Sequence, residues 1–213
     1  MNKTFHKFRL TIILCLITLL LPGASSVFAQ EDNLLENPGF ENPYIDRGGT
    51  PARQVAQGWN PWHVTATINM ASWQNQQPEY DETAPNDLRI RSGDNAQQFF
   101  SFFEAHTGGV FQRVTGITPG TELRFSVYAW VWSSTFSDQD ESELDGDVVV
   151  QVGIDPTGGT DGTSSSVIWS PPAEQYDTYR QYAVIATASS NAVTVFVRST
   201  VNVAVQNNYI YLD

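Results

Sequence analysis

The sequence predicts an all-β sandwich, two antiparallel sheets packed face to face. Apolar residues recur with a period of two in stretch after stretch, and no segment sustains a helical spacing. The stretches are rich in β-branched and aromatic residues. They are also separated by turn chemistry: TPGTE from Thr118, DPTGGTDGTSS from Asp155 and SPPAEQYD from Ser170. Short strands punctuated in this way describe a sandwich.

Taken from the N-terminus, residues 1–29 read as a secretory signal peptide. Lys3, His6, Lys7 and Arg9 form a basic start, Thr11 to Leu21 an apolar run, and small residues lead to a cleavage point after Ala29. The expectation is a secreted protein, extracellular or at the cell surface, without membrane insertion, because the apolar run is too short for a stable anchor. The one cysteine, Cys15, lies in this leader, and Leu14 before it argues against a lipid anchor. Disulfides and thiol catalysis are thereby excluded from residues 30–213. That stretch is long enough for one core and reads as a single domain. It holds eight arginines, no lysine and all 23 acidic residues. Such a surface repels nucleic acid and anionic membranes; it suits neutral polymers and cations such as calcium.

The strands expected are Leu88 to Arg91, Gln98 to Glu104, Gly109 to Val114, Glu122 to Ser133, Asp147 to Ile154, Ser166 to Trp169, Arg180 to Thr187, Ala192 to Ser199 and Tyr209 to Leu212. The region from Pro43 to Pro85 is rich in Asn, Gln and Trp and predicts one or two strands with long loops. Tyr209 to Asp213 reads as a strand that stops in mid-course, so further modules are expected C-terminal to Asp213.

Three pieces carry a family resemblance: NLLENPGFE (Asn33 to Glu41) followed by Gly58-Trp59, then GVFQRVTGITPGTELRFSVYAWV, and a closing YIYLD. In this order and separation they resemble the carbohydrate-binding modules attached to bacterial xylanases and cellulases, of the galactose-binding-like jelly-roll superfamily. The Trp59 to Pro85 segment and the acidic stretch near 138–147 match no motif of that family. The resemblance implies a jelly roll, a sugar-binding groove and a structural calcium between Glu41 and Asp213. It also implies that Trp59 packs under the sheet. Calcium takes ~6–8 oxygen ligands, and two carboxylates with turn carbonyls supply several. The other reading of these two acids is that they are solvated strand ends.

The segment LRFSVYAWVWSS (Leu123 to Ser134) then poses the central question. Leu123, Phe125, Val127, Ala129 and Val131 form a core face. Arg124, Ser126, Tyr128, Trp130 and Trp132 occupy the other face. Tyr128, Trp130 and Trp132 are the candidate stacking surface for a sugar ring, with Arg124, Gln151, Gln112 and Asp147 as candidate hydroxyl-binding partners. Loops closing over the three aromatics to make a second small core is the competing arrangement. Trp62 and Trp73, in the irregular region, are further candidates for a groove rim.

The run Asp138 to Asp147 carries six acids in ten residues but lacks the EF-hand pattern and reads as a solvated loop. Asp155 to Thr163 lacks the Lys-Ser/Thr of a P-loop and reads as a turn. His63 and His106 belong to no catalytic motif. Glu79, Asp81 and Glu104 are acids that a glycosidase could use, with nothing to single them out. The expectation is a non-catalytic glycan-binding module. The alternatives are a structural or adhesive domain of a larger surface protein and a small jelly-roll glycosidase or lyase.

Overall fold

In the computed structural model the structure describes residues 33–84 and 87–213. The leader expected over residues 1–29 lies outside the described residues. Among the described residues there are twelve strands: β1 (Tyr44–Asp46), β2 (Gln54–Ala56), β3 (Asn60–His63), β4 (Glu79–Glu82), β5 (Gln97–Ser101), β6 (Thr107–Thr115), β7 (Glu122–Ser134), β8 (Val148–Asp155), β9 (Ile168–Trp169), β10 (Arg180–Thr187), β11 (Ala192–Val201) and β12 (Asn207–Leu212). They form the expected β-sandwich jelly roll. A first sheet runs β10-β7-β12-β5-β4, a second runs β3-β6-β11-β8-β9, and β1 and β2 pair as a separate ribbon.

The fold follows from the pleat. Successive side chains on a strand point to opposite faces, so alternation decides which set is buried. In β7 the set Phe125, Val127, Ala129 and Val131 faces inward and is buried. Val148, Val150, Val152 and Ile154 of β8 and Val193, Val195 and Val197 of β11 meet it from the second sheet. Trp59 is fully buried beneath the first sheet and stacks on Phe40 at a centroid distance of 4.6 Å, as the resemblance implied. Phe40 is held by its turn. The Asn37 side chain accepts the Glu41 amide at 2.8 Å and donates to the Glu41 carbonyl at 2.7 Å.

Two large buried polar side chains, Tyr80 and His106, are paired across elements, which offsets the cost of their burial. Tyr80 on β4 donates from its hydroxyl toward the carbonyls of Trp62 (3.0 Å) and Gly109 (3.1 Å) in the opposite sheet. His106 is fully buried between the hydroxyls of Ser101 (3.0 Å) and Ser199 (2.7 Å).

Two expectations are corrected. Leu88 to Arg91 is no strand: it begins with a single 3-10 turn, Asp87–Arg89. Between Pro43 and Pro85 lie four short strands, not one or two. Among the described residues no helix is long and apolar enough to cross a membrane.

Burial depresses the His106 imidazole from its ordinary 6.5 to about 3, with His63 adding a smaller push in the same direction. The unfolded chain therefore binds a proton that the folded chain refuses. The stability this contributes is complete above about pH 6.5 and is lost as pH falls toward about 3. Urea denaturation across that window should show wild type losing up to about 1.4 kcal/mol more per pH unit than a His106→Asn variant. Parallel lines for the two proteins would refute a neutral buried imidazole.

Candidate functional site

The outer face of the first sheet is aromatic across three strands. Register places Tyr209 of β12 between Trp132 of β7 and Phe100 of β5, and Tyr211 beside Trp130. Tyr209 stacks on Phe100 at 4.6 Å with planes 10° apart and lies 5.3 Å from Trp132. The parity expected for β7 is the one observed, and Tyr128, Trp130 and Trp132 do project from this outer face.

They are nevertheless covered, as in the competing arrangement. The Arg91 guanidinium lies 3.5 Å from the centroid of Tyr128, and that of Arg89 lies 4.4 Å from Trp130 and 5.9 Å from Tyr211. Cations over ring faces are attracted by the aromatic quadrupole, more strongly where water is excluded. Arg89 is itself buried and donates to the carbonyl of Gln139. Trp132 is 4% exposed, and its indole N–H donates to the carbonyls of Asp138 (3.0 Å) and Glu141 (3.2 Å). The acidic stretch keeps most of its carboxylates in solvent, but its backbone arches over this tryptophan. Trp132 is therefore unavailable to a ligand, and Tyr128 and Trp130 are capped by the chain's own arginines. Arg124 is exposed on the same face, toward the opposite end of β7 from Trp132, and contacts Ser126.

Glu41 and Asp213 converge, as implied, but on one loop. Asp213 accepts the amides of Arg91 and Ser92 (both 2.8 Å) and the Ser92 hydroxyl (2.6 Å). Glu41 accepts the Asp94 amide at 3.1 Å. Burial raises the Tyr44 hydroxyl pKa far above its usual value, and Glu82, Glu41, Asp81 and Asp213 add to that effect, which places these acids in one neighbourhood. A calcium cage needs oxygen acceptors turned inward. Here both carboxylates are engaged by N–H and O–H donors. Among the described residues, no three acidic, histidine or cysteine side chains are grouped closely enough to hold one metal ion. In this arrangement the two carboxylates serve as hydrogen-bond acceptors for the chain itself. They form a hydrogen-bonded clamp on residues 91–94, the loop that carries Arg91 over Tyr128.

The remaining candidates lie in or beside the second sheet, Trp62 and Gln151 on its outer face and Gln112 on its inner one. Trp62 is corrected from groove rim to core: it is 8% exposed and packs against Phe196 (5.8 Å) and Trp169 (6.3 Å). A side chain at Gly162 would collide with its ring at 2.6 Å, so the loop after β8 lies directly on it. Gln151, expected beside Tyr128, lies on this opposite sheet because β8 pairs with β11 and β9 and not with β7. There it accepts from Arg198 at 2.5 Å and donates to the Ser170 carbonyl at 2.7 Å. Gln112 is buried and holds Glu36. Asp147 contacts Asn202.

Trp73 is where the expectation and an opening coincide. It is 40% exposed and, with Met70, Gln74 and Asn75, walls a groove of about 160 Å³ whose floor includes Thr107, Thr200 and Asn202. The Ala105 amide donates to the Trp73 carbonyl at 2.7 Å, which pins this loop to the sandwich. Thr107 and Thr200 are a cross-strand pair. Arg198 lies two residues from Thr200 on the same face, 3.9 Å from the centroid of Trp169. Its Nε is buried without a partner. Sequence reasoning missed Arg198 and the groove because alternation marks Thr200 and Arg198 only as outward-facing. The pairing of β11 with β6 and β8 is what brings them to Gln151 and the groove.

His106 is sealed in the core and offers no general base to an opening. No protein-family model matches the sequence, and no curated protein does. Solved structures do. The chain is similar to a carbohydrate-binding module, TmCBM61, solved in complex with β-1,4-galactotriose, at 12% identity over 85% of this chain and 94% of that one (TM-score 0.49). It is similar to a cyclase from Fischerella sp. TAU at 11% identity over 84% and 94% (TM-score 0.48). It is also similar to the xylan-binding CBM22-1 domain of Paenibacillus barcinonensis Xyn10C at 14% over 73% and 81% (TM-score 0.41).

If the clamp is hydrogen-bonded, chelation with EDTA leaves the thermal midpoint where it was. Asp213→Asn, which strips charge from three bonds, lowers stability by about 1–3 kcal/mol in urea titration. A midpoint that falls with EDTA and recovers with added calcium would restore the cation.

Proposed function

We propose that this chain is an exported, non-catalytic glycan-binding domain whose sugar site is the groove walled by Trp73. The observation that carries this reading is the composition of the groove. One partly exposed indole and a thioether stand beside the amides of Gln74, Asn75 and Asn202 and the hydroxyls of Thr107 and Thr200. An indole takes the apolar C–H face of a pyranose, and neutral amides and hydroxyls bind its ring of hydroxyls without demanding charge. A volume of about 160 Å³ lies below the ~300–1,000 Å³ of sites that enclose larger ligands, so one ring is gripped while the rest of a polymer runs over the surface. The same outer face continues into Arg198, Gln151 and Trp169, whose ion, amide and indole supply a second place for a neighbouring sugar.

This reading keeps Trp73 and Gln151 as binding residues and moves the site from the first sheet to the second. Affinity electrophoresis through gels containing soluble plant and microbial polysaccharides tests it. Retardation by one class of glycan is expected for wild type. It should be abolished by Trp73→Ala and reduced by Arg198→Ala, while Trp130→Phe, on the other sheet, leaves it unchanged. Equal retardation of wild type and Trp73→Ala would remove the groove. No retardation by any polysaccharide would leave the adhesive-domain reading in its place.

A further inference from the structure

The aromatic face of the first sheet is only half covered. Arg91 and Arg89 occupy Tyr128, Trp130 and Tyr211, and the acidic arch occupies Trp132. Beyond Tyr209 the cover ends. Phe102 is 42% exposed and Phe103 64% exposed; Phe100 and Tyr209 are partly exposed. Phe102 packs edge-on against both Phe100 (5.4 Å) and Tyr209 (5.6 Å), so the three rings form one patch.

Acids border this half. Register sets Glu79 of β4 directly opposite Phe100 and Asp81 opposite Gln98, all on the outer face. Glu104 follows the Phe102-Phe103 pair. Partial burial raises its carboxyl pKa above the usual range, and Glu79 adds a smaller push, which puts the two carboxylates in electrostatic reach of each other. Within the described residues neither the Glu79 nor the Glu104 carboxylate accepts a hydrogen bond. Two like charges beside exposed rings, unsatisfied by the chain, are what a cation would relieve.

We propose that this open half docks an arginine side chain presented by a basic segment of a partner protein. The chain supplies the precedent on the adjoining rings, where its own arginines stack on three aromatics of the same face. Ring geometry favours a guanidinium over a sugar. Tyr209 and Phe100 stand face to face at 4.6 Å, which spends one face of each and leaves Phe100 open toward β4, where Glu79 lies. A flat guanidinium can lie against that remaining face and direct its fork of N–H donors to Glu79 and Glu104, whereas a puckered pyranose needs a broad ring face laid open. Charge agrees: eight arginines and no lysine stand against 23 acids in residues 30–213.

The test is calorimetric titration of the purified chain with a blocked hexa-arginine peptide, using the uncharged hexa-citrulline peptide and a chitosan hexamer as comparators. Hexa-arginine should bind and hexa-citrulline should not. Glu79→Gln combined with Phe100→Leu should weaken binding about tenfold. Glu141→Gln, which removes the same charge from the acidic arch, should change it by less than about twofold. Glu79→Gln alone preserves the packing of the patch, and its loss of affinity stands if the double variant fails to fold. Equal weakening by Glu141→Gln and Glu79→Gln would reduce the effect to general attraction by an acidic surface and overturn the proposal. So would absence of hexa-arginine binding. Chitosan binding with the same sensitivity to Glu79→Gln would also overturn it, giving the patch to an amino sugar.

Discussion

The sandwich of residues 33–213 is arranged around a strand that is apolar on both faces. β7 runs for thirteen residues and buries valines, alanine and phenylalanine on one side while carrying a tyrosine and two tryptophans on the other. A sheet with two apolar faces has to be covered twice. The second sheet covers the inner face in the ordinary way of a sandwich. The outer face is covered by loops over β7 and over Tyr211 of β12, and those loops are fixed by arginine side chains and backbone carbonyls.

This second cover is built in tiers. Arg91 and Arg89 touch the rings, and the loop that presents Arg91 is gripped from beneath by the carboxylates of Glu41 and Asp213. Asp213 belongs to the last strand and Glu41 to the first turn, so the two ends of the described fold meet at the base of the same loop. The acidic arch closes over Trp132, and Ser142 binds Asp177 through both its amide (2.8 Å) and its hydroxyl (2.7 Å), tying the arch to the segment before β10. The second sheet uses the same device more sparingly, with Arg198 over Trp169. Arg89, Arg91, Arg180 and Arg198 thus lie over aromatic rings, and the groove beside Trp73 is lined by neutral amides and hydroxyls.

The long strands were legible because period-two alternation over eight or more residues leaves little ambiguity, and the inward set of β7 could be named residue by residue. Leu88 to Arg91 shows where the same rule misleads. Its alternation of apolar and basic residues imitates a strand, yet Arg89 is the buried member because it lies on Trp130 and because its guanidinium donates to the arch. The tryptophans of β7 show a second limit. Alternation assigns a face but says nothing of what lies over it, and an aromatic stripe that binds sugar is identical in sequence to one that binds its own arginines. Gln151 was misplaced for a third reason: strand order, which local pattern does not carry, decides which outer face a residue joins. Trp73 could be picked out only as an indole in a segment without alternation.

The distribution of indoles has an optical consequence. All six tryptophans lie in the described domain. Trp59, Trp62 and Trp132 are buried, Trp130 and Trp169 sit beneath guanidinium groups, and Trp73 alone is markedly open to solvent. A dissolved collisional quencher meets chiefly that one ring, so the red-shifted, quenchable part of the intrinsic emission belongs to the groove and the blue, protected part to the sandwich. The domain carries its own two-channel reporter, one channel for occupancy of the opening and one for integrity of the fold, with no label attached.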